Sequence, residues 1–430
     1  MPPTTVRAVL MLSIVILLGA CQTQLALMPT PEVLKDPRFN VFESNPEPLT
    51  SNLIATLYAT TRIPAADAST PFFKGEKDDR LHLGYAVARI GEENLNLFEL
   101  IDQSTTGERA EKFTWSVLEA PIVGSTPIPE MPASAPALPE GMRDAMARLN
   151  GYIDSNPIKE LTIYVHGATN TFSWSVSQGA QFQYFTGDNA MVLTFSWPSP
   201  GSIFGYGRDK RRSNASAGDL AYLVELLAFH SNASRINLLA YSAGGRVVGR
   251  ALAQLAERYP DGAMLQLGQV YLTSSDQPLE EFARDLPLFF PLLEGITVTA
   301  APDDPVLGLA RLTDTKVRLG AVGEGNNLKL DAAERERLFA IVNSDRMVLV
   351  DLEDVPAAHY KFTHGAWYDS SWVSTDVMVT LLGGLSARER ALTPTMVNGV
   401  RIWKFPPDYL DRLKTNLLNR ENRQLEVQSR

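Results

Sequence analysis

From about residue 158 onward the chain alternates between short apolar runs and longer segments with helical spacing. Residues 161–165, 191–195, 236–240, 270–273, 296–300 and 347–352 are apolar runs of strand length. Between them, residues 173–185, 213–230 and 245–259 read as helices, the second with Leu220, Leu223, Val224 and Leu227 on one face. Continuous apolar strands alternating with amphipathic helices predict an α/β protein with a mostly parallel sheet covered on both faces. In such a sheet functional groups gather at the carboxyl ends of the strands. Upstream, residues 53–60 and 81–90 read as N-terminal strands. Residues 121–139 carry so many prolines that a solvent-exposed loop or extended connector is expected there. This division gives a leader over 1–20, a tether over 21–50, one catalytic-sized domain over 51–400 and a C-terminal tail or helix over 401–430.

Four serines sit in an S-x-G pattern: Ser177, Ser199, Ser216 and Ser242. Ser177 falls inside an expected helix, Ser216 near the start of one, and Ser199 between two prolines. Only Ser242, in N-L-L-A-Y-S-A-G-G-R, follows a buried run and precedes a long helix. That is the setting of a nucleophile elbow, a tight strand-to-helix turn that presents a serine hydroxyl. Ala240, Ala243, Gly244 and Gly245 are small, as two nearly touching backbones require. The same residues also fit a glycine-rich βα turn whose serine does nothing.

A serine nucleophile needs a base and the base needs an acid, in the chain order Ser, Asp or Glu, His. Downstream of Ser242 the histidines are His359 and His364. His364 precedes Gly365 and an apolar helix-like run from Trp372, and is the better placed. For the acid, Asp304 at the end of the 296–300 run comes first, with Asp303 and Asp276 as alternatives. The oxyanion donors expected are the amides of Ala243 and of Ala168, the latter in the turn His166-Gly167-Ala168, where His166 would be structural.

Several segments together resemble a bacterial branch of the α/β-hydrolases, largely of unknown function and described as esterase- or lipase-like. They are Val165-His-Gly-Ala-Thr-Asn170, Phe195-Ser-Trp-Pro-Ser199, Gly205-Tyr206 with Asp209, Ala240-Tyr-Ser-Ala-Gly244, Tyr58-Ala-Thr-Thr-Arg62 and Leu83-Gly-Tyr-Ala-Val87. The resemblance implies the α/β-hydrolase fold, Ser242 as nucleophile, an acid near Asp304 and His364 as base. Tyr241 stands where the family usually has His, and Ala243 where a bulkier residue such as Met is common. A small-molecule ester or lipid substrate and no cofactor are expected. The competing readings are a catalytically idle scaffold or binding protein of the same fold, and a peptidase or amidase using the same three residues. Trp197, Phe204, Tyr206, Trp367 and Trp372 are candidates to line an apolar pocket.

Composition narrows the rest. The chain has 430 residues, 45% hydrophobic and 20% charged, with a formal net charge of −10. An acidic protein without a basic stripe is a poor nucleic-acid binder. With one cysteine and no HExxH or paired Cys/His spacing, no metal site is expected. The cysteine is Cys21, and it ends a run in which Arg7 precedes an apolar stretch from Ala8 to Leu18 and then Gly19-Ala20. That stretch is shorter than the roughly 20 residues a membrane span takes. It reads as a lipoprotein signal peptide with lipidation at Cys21. Gln22 after it resembles the sorting pattern for an outer membrane, with the body facing the periplasm. The sequence leaves the oligomeric state open.

Overall fold

The computed structural model describes residues 25–44, 46–65, 72–93, 95, 99–100, 102, 113–130, 135–199, 206–260, 262, 264–314, 316–322, 331–353, 355 and 363–428. Among them, twelve strands form one sheet. They are β1 (Leu53–Pro64), β2 (Phe73–Ile90), β3 (Trp115–Glu119), β4 (Ile122–Pro127), β5 (Glu160–Val165), β6 (Met191–Ser196), β7 (Arg235–Tyr241), β8 (Leu267–Thr273), β9 (Gly295–Ala300), β10 (Met347–Asp351), β11 (Thr393–Val397) and β12 (Val400–Lys404). The order is β11-β12-β10-β9-β8-β7-β5-β6-β1-β2-β3, with β4 also on β2. Every pairing from β12 across to β1 is parallel, and the antiparallel pairs lie at the two ends.

Each of the six apolar runs is a central strand, and alternate side chains feed two cores. In β7, Ile236, Leu238 and Ala240 enter one core and Leu239 the other. The first core is closed by helices α1 (Arg143–Ser155), α3 (Tyr206–His230), α4 (Ala243–Arg258) and α5 (Leu279–Phe289). The second is closed by α2 (Phe172–Phe185), α8 (Ser371–Leu381) and α9 (Tyr409–Gln428). Two further helices, α6 (Pro305–Asp314) and α7 (Ala332–Val342), follow β9. The chain is thus an α/β fold, a mostly parallel sheet with helices on both faces.

Three expectations are corrected. Residues 25–50 are no free tether: Leu25, Leu27, Met28, Leu34 and Phe42 are buried in the second core, and each such burial contributes about 2 kcal/mol. Backbone bonds Leu27 N–H to Phe113 O (2.7 Å) and Trp115 N–H to Leu25 O (2.7 Å) fasten the segment to β3. The proline-rich excursion is not all loop either, since Ile122–Pro127 is strand β4, antiparallel to β2. Its prolines stand at the strand's ends and on a sheet edge, where a missing N–H does little harm. Lastly, the boundary at 400 cuts through a hairpin. β11 and β12 join at Asn398-Gly399, both at positive φ (51° and 80°), and β12 pairs with β10 inside the sheet.

Candidate active site at the strand ends

Ser242 follows β7 directly and α4 begins at the next residue. Its backbone sits at φ 52°, ψ −116°, a region that residues with a Cβ rarely adopt. The surroundings hold it there: Ser242 N–H donates to Thr273 O (3.0 Å), and Ser242 O accepts from Gly245 N–H (3.0 Å) and Asp276 N–H (2.9 Å). The small residues have a steric cause. A Cβ on Gly244 would stand 2.2 Å from the carbonyl oxygen of Val165, and one on Gly245 2.2 Å from Ser275 Oγ. So α4 leaves the turn pressed against the ends of both neighbouring strands.

The structure brings Ser242, His364 and Asp304 together. His364 lies in a helical turn at Thr363–Gly365, and its Nε2 is 3.0 Å from Ser242 Oγ. Its Nδ1 is 2.7 Å from Asp304 Oδ2. Ser242 and His364 are 8% and 7% exposed, so both open slightly to solvent, while Asp304 is buried. The other oxygen of Asp304, Oδ1, accepts the backbone N–H groups of Val306 (2.9 Å) and Leu307 (3.1 Å) at the start of α6. One carboxylate therefore caps a helix and faces the imidazole. Against the same imidazole packs Tyr241, with ring centroids 5.3 Å apart. Burial pushes the Tyr241 phenol well above its ordinary pKa, with Tyr368 adding to the effect.

The alternative acids go elsewhere. Asp303 is exposed. Asp276 is buried and its two oxygens bind Arg318 Nε (2.7 Å) and Arg246 Nη2 (2.9 Å). His359 and Cys21 lie outside the described residues.

The turn that carries Ala168 lies beside Ser242, because a Cβ on Gly167 would be 3.2 Å from Ser242 Cβ. Ala243 is the first residue of α4, so its amide belongs to the helix's first turn, which has no intrahelical acceptor. His166 is fully buried and stacks on Trp197, 4.8 Å between centroids at 5°. Its Nδ1 is 2.7 Å from Gly167 O, and its Nε2 is 3.1 Å from Trp197 O. Burial, with the nearby Arg62 charge, lowers its pKa to about 3. It is a neutral ring locked to backbone, part of the frame of the turn.

Trp197 and Trp367 are fully buried, so neither lines an open pocket, and the half-buried Trp372 packs on Phe405 and Tyr409. The side chains of Phe204 and Tyr206 lie outside the described residues. Ser177 is inside α2 and Ser216 inside α3, both buried. Ser199 Oγ donates to Asp209 (3.1 Å). Sequence reasoning attached no role to Arg62, whose guanidinium is buried under the Ala168 turn. Its signal is a lone charge near the end of β1, a strand that is otherwise uncharged. Among the described residues no three His, Cys, Asp or Glu side chains are grouped to hold a metal. Nor is any described helix long and apolar enough to cross a membrane.

The chain is similar to several solved structures. A "predicted CIB-like hydrolase" from Thermoplasma acidophilum shares 14% identity over 54% of this chain and 89% of its own, with a TM-score of 0.30. A dienelactone hydrolase-like promiscuous phosphotriesterase from metagenomic libraries shares 15% over 54% of this chain and 88% of its own, at 0.30. An esterase from the Planctomycetes species Thermogutta terrifontis shares 11% over 54% of this chain and 84% of its own, at 0.30. No curated protein matches. One family model does match, over residues 142–383, which run from the residue before α1 to just past α8 and include Ser242, Asp304 and His364. The chain belongs to that family, the alpha/beta hydrolases of unknown function designated DUF900.

Proposed function

We propose that this protein is a serine hydrolase that cleaves carboxylic esters through an acyl-enzyme. The observation that carries the reading is the chain of contacts from Ser242 Oγ to His364 Nε2 (3.0 Å) and from Nδ1 to Asp304 (2.7 Å). His364 takes the hydroxyl proton as Ser242 Oγ attacks the ester carbonyl carbon, and Asp304 orients the imidazolium that forms. The carbonyl oxygen becomes an oxyanion facing the amides of Ala243 and Ala168. As the C–O bond to the leaving alcohol breaks, the imidazolium returns the proton to that alcohol. Water then attacks the acyl group, gives its proton to His364, and the acid departs as Ser242 recovers its hydrogen. Each oxyanion donor contributes about 3 kcal/mol to such a step.

The test is hydrolysis of a short p-nitrophenyl ester by wild type and Ser242→Ala, with circular dichroism to show that both are folded. Loss of turnover in the variant, and labelling of wild type by a fluorophosphonate at Ser242 alone, are expected. A wild type that neither turns over nor labels makes the protein an idle scaffold. A panel including the matched amide checks the preference for esters.

We further propose that Cys21 is lipidated and holds the body on an outer membrane facing the periplasm. Support comes from Leu18-Gly19-Ala20-Cys21 and Gln22 in the sequence. Cys21→Ser should move the protein from the membrane fraction to the soluble one, and unchanged fractionation would discard the anchor.

A further inference from the structure

The turn beside Ser242 is strained. Thr169, next to Ala168, has φ 58°, a left-handed backbone that is a genuine outlier for a β-branched residue. Strain of this kind persists only where the surroundings over-determine it. Here they consist of one buried carboxylate and one buried guanidinium. Asp209, in the first turn of α3, is wholly buried, and its Oδ2 accepts the Thr169 N–H (2.8 Å) and the Ser199 hydroxyl (3.1 Å). Arg62, in β1, is also buried, and it donates from Nη2 to Asn170 O (2.9 Å), from Nη1 to Ser199 O (2.9 Å) and from Nε to Ser196 Oγ (3.0 Å). The two side chains thus tie the turn segment 166–170 to the neighbouring segment 196–199.

We propose that Asp209, backed by Arg62, is a positioning residue that holds the Thr169 backbone in its left-handed conformation and so aims the neighbouring Ala168 amide at the space over Ser242. This rests on the serine hydrolase reading and deepens it. Two buried charges kept only for packing are a poor choice, since apolar side chains of similar volume usually serve a core as well or better. What charge supplies here is direction, because its bonds fall on the Thr169 N–H and Asn170 O of one strained turn and tie that turn to Ser199. Burial raises the Asp209 carboxyl to about 6, while the Thr169 amide, Ser199, Arg212 and Arg62 hold it down. Burial lowers Arg62 to about 9. Both groups are therefore charged at neutral pH.

The experiment measures kcat and KM for a short p-nitrophenyl ester with wild type, Asp209→Asn, Asp209→Ala and Asp209→Ala combined with Thr169→Gly. Fluorophosphonate labelling and thermal melts run alongside. Misplacing a donor by about 1 Å costs on the order of 100-fold, so Asp209→Ala should lose about 10- to 100-fold in kcat with KM nearly unchanged. Asp209→Asn, which keeps an acceptor for Thr169, should lose less. Glycine at 169 accepts positive φ freely, so the double variant should recover part of the lost kcat. A folded Asp209→Ala with wild-type kcat, or one altered only in KM, overturns the proposal. If Asp209→Ala does not fold, Asp209→Asn decides: it weakens both bonds the carboxylate makes, and a kcat equal to wild type overturns the proposal equally. Wild type that fails to label at Ser242 marks a different failure, that of the hydrolase reading, and this inference falls with it.

Discussion

Asp304 meets His364 with one carboxylate oxygen, Oδ2 at 2.7 Å from Nδ1, while its other oxygen holds the first amides of α6. The helix cap fixes the carboxylate in place independently of the imidazole, so its position is set by the backbone. Asp276, at the end of β8, is as buried as Asp304 but is bonded to two arginines instead. The two aspartates therefore separate in experiment.

On the proposed mechanism Asp304→Asn keeps an oxygen for the helix cap yet cannot stabilise the imidazolium, and kcat should fall about 10³- to 10⁴-fold with little change in melting temperature. Asp276→Asn breaks a buried ion-pair cluster, which costs about 3–5 kcal/mol, so it should melt early while its folded fraction turns over normally. Paired assays of kcat and thermal unfolding check this. A folded, stable and inactive Asp276→Asn would reverse the assignment of the acid.

Gly244 and Gly218 are both helical glycines in different surroundings. A methyl on Gly244 would collide with the Val165 carbonyl at 2.2 Å, whereas the atom nearest a Cβ on Gly218 is Gln254 Oε1 at 3.6 Å. Gly244→Ala should therefore destabilise by several kcal/mol or prevent folding, as overpacking against backbone does. Gly218→Ala should stabilise by about 0.5–1 kcal/mol. Denaturant melts measure both, and equal effects would mean that α4 does not press on β5.

The buried His166 makes stability depend on pH. Its pKa falls from 6.5 to about 3 on folding. Between those values the unfolded imidazole binds a proton that the folded one refuses, so stability declines as pH drops through that window, by up to roughly 1.4 kcal/mol per pH unit. Asp209 acts oppositely, because its folded carboxyl at about 6 keeps a proton that the unfolded one at 3.8 has released, and this contribution is lost as pH rises. His166→Asn removes only the first effect. Its melting temperature should change less than that of wild type from pH 6.5 down to 4, and parallel curves would contradict the buried neutral ring.

The central strands were legible because a parallel sheet buried on both faces demands unbroken apolar runs, and β5 through β10 comply. The hairpin of β11 and β12 was missed although Asn398-Gly399 is a strong turn signal. Its first strand is an edge whose Met396 is 61% exposed, so no apolar pattern marks it. β4 was hidden by its prolines. Residues 25–50 read as a tether because their buried leucines are scattered among prolines and polar residues, and only the partner surface of α2, α8 and β3 gives them a place.

The sequence by itself determined the turn around Ser242, since a buried run, a serine and four small neighbours are local steric facts. It also narrowed the imidazole to two residues and the acid to three. Which of them meet belonged to the tertiary structure, because the contacts join Ser242 to His364 across 122 positions and His364 to Asp304 across 60. Asp276 and Asp304 look alike at the ends of strands. They differ because Arg246 and Arg318 fold onto one, while the amides of Val306 and Leu307 and a ring nitrogen of His364 meet the other.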